Sequence, residues 1–150
     1  MKGYKMKKST LLIALLFLSA CHSYGYVTRS IQDDLNSAEA SRKISRDVRL
    51  SFDNNERSTG RSLGRADAKK SYKYDRRSTD VDHEVNDACF FAFLDAAAAL
   101  QQRARAVGGN AVTHICSYVN HDFSCDNELY YCQGGRIKSL VKLRGSVVRE

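Results

Sequence analysis

Along the chain, polar and apolar positions alternate in short runs, and one long stretch breaks that rhythm with a helical period. Val48, Leu50 and Phe52 alternate with Arg49 and Ser51, the period-two signature of a half-buried strand. Asp53-Asn54-Asn55 follows as a turn. In NDACFFAFLDAAAALQQRARAVGG, Phe90, Phe93, Leu94, Ala97, Leu100 and Ala104 fall on one apolar stripe. Asn86 or Asp87 is expected to cap this helix, Arg103 and Arg105 complement its C-terminal dipole, and Gly108-Gly109 stops it. Small side chains from Ala96 to Ala99 should let a sheet approach closely. Ala111 to Val119, Glu128 to Gln133 and Ile137 to Val148 each read as strands, with 120 to 127 a polar turn and Gly134-Gly135 a bulge or bend. Residues 22 to 45 are polar with weak period, and a short helix and an extended lead-in fit them equally well. Residues 57 to 80, rich in Gly, Ser and charge, are expected to form a mobile basic loop of little folding energy, with a short edge strand at 71 to 75. The pattern predicts an α+β domain over 46 to 150: one main helix packed on a small, largely antiparallel sheet of four to five strands.

The N-terminus changes the picture of where this domain works. Lys2, Lys5, Lys7 and Lys8 precede the apolar run Leu11 to Leu18, which is eight residues long. That is far short of the roughly 20 residues that span a bilayer. Residues 1 to 20 therefore read as a secretory signal. Leu18-Ser19-Ala20-Cys21 resembles a lipobox, which implies lipidation at Cys21 and a membrane attachment through that lipid; Ser23-Tyr24-Gly25 offers ordinary cleavage before Tyr26. Either event removes Cys21 from the thiol pool. Cys89, Cys116, Cys125 and Cys132 remain, an even number in an exported chain, and two disulfides are expected.

Charge is local. Of the 24 Lys and Arg, four lie in the signal, whereas all 17 Asp and Glu lie beyond it, so the formal charge of +7 falls to +3 in the mature chain. Residues 42 to 77 hold 12 basic and 5 acidic side chains. Lys69, Lys70, Lys73, Arg76 and Arg77 are the candidate contact residues, for an anionic lipid, a glycan or an acidic envelope protein. Without tryptophan, zinc-finger or RNP-like patterns, nucleic acid is not an expected partner.

Candidate chemistry is sparse. His114, Cys116, His121 and Cys125 within HICSYVNHDFSC invite either a metal site or a disulfide-closed hairpin with polar-loop histidines. Their spacings differ from the usual zinc knuckle, and an oxidising compartment favours the bridge. Cys89 near a helix start can be considered as a nucleophile, but no adjacent base accompanies it. His83, between Asp82 and Glu84, reads as an ordinary surface histidine. Tyr130-Tyr131 fits a strand with one ring in the core and one outside. No G-x-S-x-G, H-E-x-x-H or paired-carboxylate motif occurs. The expectation is a non-enzymatic envelope protein that binds, senses or braces, without a cofactor. The alternative is a periplasmic metal-binding protein or enzyme built on the His/Cys cluster.

DACFFAFLDAAAALQQRARAVGGNAVTHICSYV, ELYYCQGG and VKLRGSVV resemble a family of small exported bacterial proteins often labelled "excinuclease ATPase subunit". The resemblance spans about 47 to 148. The chain has no GxxxxGK[ST] loop, so the phosphate cradle of an ATPase is missing. The helix, GGNAV and the following cysteines are more weakly similar to the RcsF-type outer-membrane lipoprotein sensor domain. The sensor's proline-rich linker is absent from this proline-free chain. The first resemblance implies a Cys89–Cys132 bridge, which leaves Cys116–Cys125 to close the hairpin. The second implies Cys89–Cys125 and Cys116–Cys132. The first covers more of the chain and is preferred.

Overall fold

The structure, a computed structural model, describes residues 25 to 150. The signal at 1 to 20, the lipobox and Cys21 lie outside the described residues. The elements run β1 (Tyr26–Ser30), α1 (Ile31–Leu35), α2 (Ala40–Lys43), β2 (Arg49–Leu50), β3 (Arg61–Lys73), α3 (Val81–Ala106), β4 (Ala111–Val119), β5 (Asp122–Ser124), β6 (Leu129–Gly134) and β7 (Lys138–Arg149).

β7 organises the sheet. From Ser139 to Val147 its buried odd positions alternate with half-buried even ones, which makes it a two-faced strand. β3 pairs with it antiparallel along its whole length on one side. On the other side β7 pairs first with β6, through Leu140 and Ser139, and then with β4, from Leu143 to Val148. β1 adds antiparallel to β6, β5 folds back antiparallel on β4, and the short β2 runs parallel to β4. The result is an α+β domain with a seven-stranded, largely antiparallel sheet and one main helix on one face.

α3 packs its stripe of Val85, Cys89, Phe93, Ala96 and Leu100 against Ala66, Ala68, Tyr130, Val141 and Leu143, all buried. Phe93 and Tyr130 stack with ring centroids 3.9 Å apart. The helix begins at Val81, earlier than expected from the apolar stripe. Asp80, not Asn86 or Asp87, is the cap, and its carboxylate accepts from the His83 N–H at 3.1 Å. Asp82 and Glu84 then sit in the first turn, where the helix dipole favours acids. At the other end Gly108 takes φ +80°, the left-handed conformation that stops the helix. Gln101 is buried; its amide nitrogen donates to the carbonyls of Ser45 and Val48 at 2.7 and 2.6 Å. These bonds tie the segment before β2 to the helix.

Three expectations need correction. Residues 57 to 80 are not a loop with a short strand at 71 to 75: β3 has 13 residues, and Ala66 and Ala68 are 3% and 4% exposed. Alanine contributes too little contrast to reveal a strand face among charged neighbours, and only the match to β7 fixes it. Within 22 to 45, the described residues from 25 onward are not a lead-in outside the domain: β1 is a sheet strand, the short-helix alternative holds at α1 and α2, and Ile31 and Ala40 join the core. Among the described residues the sheet has seven strands and not four or five: β1 lies in the segment expected as a short helix or lead-in, β5 lies in the expected polar turn at 120 to 127, and β3 is the expected short edge strand at 71 to 75 extended to 13 residues.

β1 and α1 are locked by a buried polar group. Asp34, 5% exposed, accepts two hydrogen bonds from Arg29 at 2.9 and 2.7 Å. It accepts a third from the Tyr130 hydroxyl at 2.7 Å. Burial, and then the bond to Asp34, push the Tyr130 phenol far up, so it stays a donor. The same carboxylate holds Arg29 charged.

Candidate functional site: a basic and aromatic sheet face

Strand alternation divides β3 and β7 into two faces. Ala66, Ala68, Val141 and Leu143 point to α3. The opposite face receives Arg65, Lys69 and Lys73 from β3, and Lys138, Lys142 and Arg144 from β7. Six cations thus share this two-strand face with one acid, Asp67. Lys69 lies directly across from Lys142, and Lys73 directly across from Lys138. Like charges in directly opposed positions destabilise a sheet. Asp67 is already engaged: it accepts from Arg144 Nε at 2.6 Å and lies 3.3 Å from Arg65 Nε.

Aromatic rings complete the face. Lys142 Nζ sits 4.1 Å from the Tyr118 ring centre and the Arg144 guanidinium 3.9 Å from that of Phe123. The two rings meet edge to face at 5.3 Å. Lys69, Asp67 and these four side chains help to line a concavity of about 430 Å³.

The hairpin that delivers Phe123 explains the histidine and cysteine cluster. Asn120 and His121 have φ of +48° and +70°, as a two-residue primed hairpin turn requires. Val119 then pairs with Asp122, and Tyr118 with Phe123. Cys116 and Cys125 form a disulfide across this hairpin with Cα atoms 4.2 Å apart. His114 has φ +51° and starts a bulge: Thr113 faces Ser146 and Cys116 faces Arg144, so His114 and Ile115 share one opposing residue, Gly145. A Cβ on Gly145 would come within 2.5 Å of Val112 Cγ1, so only glycine fits beneath the bulge. A β-branched residue is strained at a positive φ. His114→Val is therefore expected to cost about 1–2 kcal/mol in chemical denaturation, whereas His114→Asn stays near wild type.

This geometry places the remaining candidates. His114 and Cys116 do not sit as simple same-face neighbours on a regular strand, because the bulge intervenes. Both sulfurs of the cluster are bonded to each other, and no group of three or more potential metal-ligating side chains occurs among the described residues. Cys89 is fully buried and bonded to Cys132, with Cα atoms 5.8 Å apart. These two bridges are the pairs implied by the first resemblance. His83 lies in the first turn of α3, 3.5 Å from Asp87. Tyr130 is core and Tyr131 half-buried.

Of the five expected contact residues, the structure brings Lys69 and Lys73 onto the basic face. Lys70 points to the helix side, beside Ala99 and Arg103. Arg76 and Arg77 lie in the connection between β3 and α3. Pattern reading missed Arg65, Lys138, Lys142, Arg144, Tyr118 and Phe123. The signal for three of them was present, since Lys138, Lys142 and Arg144 occupy the polar phase of the alternating run KSLVKLRGS.

Two disulfides fit folding in an oxidising compartment. No helix among the described residues is long and apolar enough to cross a membrane. Comparison with protein-family models, curated proteins and solved structures found no significant match to the chain.

Proposed function

We propose that the chain is a non-enzymatic binding module of the bacterial cell envelope, whose basic and aromatic sheet face receives an acidic ligand. The observation that carries this reading is the pair of directly opposed lysine couples, Lys69 with Lys142 and Lys73 with Lys138. Such couples weaken a sheet. Retaining a destabilising surface arrangement is what a binding face does when its charges serve a ligand. An incoming anion between Lys69 and Lys142 removes their repulsion and gains from both.

The double replacement Lys69→Gln and Lys142→Gln tests this. It should leave thermal stability unchanged or slightly raised, by no more than about 0.5 kcal/mol. It should also weaken the low-salt affinity for an acidic polymer such as polyglutamate by on the order of tenfold, and added salt should reproduce the loss, because the Debye length is about 8 Å at 0.15 M. Wild-type affinity in the double variant removes the reading.

In the same reading the module is exported and held at the outer membrane through lipid on Cys21. His22 stands after the cysteine, where an Asp often retains such lipoproteins at the inner membrane. Cys21→Ala should move the protein from membrane to soluble fractions. A mature N-terminus at Tyr26 would show ordinary cleavage and a soluble periplasmic protein.

A further inference from the structure

β3 pairs with β7 on one side and with no other strand among the described residues, so it is an edge of the sheet. An edge strand 13 residues long is a ready template for a further strand. Two concavities flank this edge. One, of about 430 Å³, lies on the basic face with Tyr118 and Lys142; the other, of about 310 Å³, lies between β3 and α3. Both are lined by Ala68, Lys69 and Arg103, so they adjoin at the middle of the edge strand. In the helix-side concavity the small side chains of Ala68, Ala99 and Ala106 leave room between the longer Lys70, Gln102 and Arg103.

We propose that the edge of β3 binds an extended acidic peptide segment of a partner protein by strand addition. This rests on the reading of the basic face as an acidic-ligand site and names the ligand. An added strand presents alternate side chains to opposite faces. Its carboxylates meet Lys69 and its neighbours on the basic face, and its small apolar side chains enter the groove beside Ala99 and Ala106. Arg65, Lys69 and Lys73 recur every fourth residue, a cationic row of about 27 Å at the usual strand rise, which an eight- to nine-residue acidic strand matches. Lysines on an edge repel cationic strands and leave neutral ones without charge compensation, while an acidic strand turns the same lysines into contacts. A lipid surface meets one face only and leaves the helix-side groove empty.

The probe is a synthetic octapeptide alternating glutamate with valine, measured by fluorescence anisotropy at low salt against the full protein. Two isomers, N-methylated on alternate residues, each remove the N–H groups from one edge of the peptide. One isomer should lose at least tenfold in affinity and the other should keep most of it, because only one edge of the peptide pairs with β3. Hydrogen exchange of β3 amides should slow on binding, and Lys69→Glu should weaken the parent peptide at least tenfold. Equal binding of parent and both isomers overturns strand addition. If the peptide fails while an acidic polysaccharide or anionic vesicles bind through Lys69 and Lys142, the basic-face reading stands and strand addition falls. If no acidic probe binds, both fall.

Discussion

Replacing Cys89 and Cys132 together with alanine should lower stability by about 4 kcal/mol, since the bridge closes a span of 43 residues and loop entropy grows with its logarithm. For a domain of this size that is on the order of a 15 °C fall in melting temperature. The bridge joins the third turn of α3 to β6, both cysteines fully buried, so no solvent exposure softens the loss. The equivalent change at Cys116 and Cys125, separated by 9 residues, should cost only about 2.5 kcal/mol. That second loss should also loosen the hairpin that holds Phe123 on the basic face. Thermal scans of both double variants under non-reducing conditions give the comparison. A larger cost at the hairpin bridge would show that it, and not the helix anchor, dominates the fold.

Asp34→Ala is the next largest expected effect. It leaves Arg29 without its bidentate partner and the buried Tyr130 hydroxyl without its short bond. Removing one member of a buried pair typically costs 3–5 kcal/mol, and because the Arg29 side chain retains 26% exposure a value of about 3 kcal/mol is expected. Tyr130→Phe, which removes the hydroxyl's bond to Asp34 and its longer one to the Cys89 carbonyl and keeps the stacking on Phe93, should cost only about 1 kcal/mol. The double variant Arg29→Met with Asp34→Leu should recover most of the single-variant loss, because no charge is then stranded. Urea denaturation of the four proteins reads the cycle. A double variant as unstable as Asp34→Ala would mean that packing of α1, and not the ion pair, is what Asp34 supports.

Much of the frame was legible along the chain. The apolar stripe of α3, the alternation of β7 and the α+β class follow from period alone, because burial on one face demands that period. The two bridges were legible for a different reason: with Cys21 set aside, Cys89, Cys116, Cys125 and Cys132 are an even number of thiols that can pair completely. The helix start was misjudged because its first turn, VDHE, is made of polar residues whose role is electrostatic and shows no apolar period. β3 was misjudged for a different reason. Its buried face is alanine, which scarcely differs from its surroundings in hydropathy, and its partner strand lies more than 60 residues downstream.

What the sequence by itself determined is therefore local: where a helix can bury a stripe, where turns must fall, and which segments carry charge. Tertiary structure decided which charges act together. Lys69 and Lys142 are 73 residues apart, and only the β3–β7 register sets them opposite one another. The same register turns a run of basic residues into two groups on opposite faces, separating Lys70 from Lys69. The bulge at His114 and the primed turn at Asn120-His121 then assign two histidines to backbone geometry, a role no spacing rule encodes. Long-range pairing is set by shape and register between distant strands, and a one-residue slip would exchange the two faces entirely.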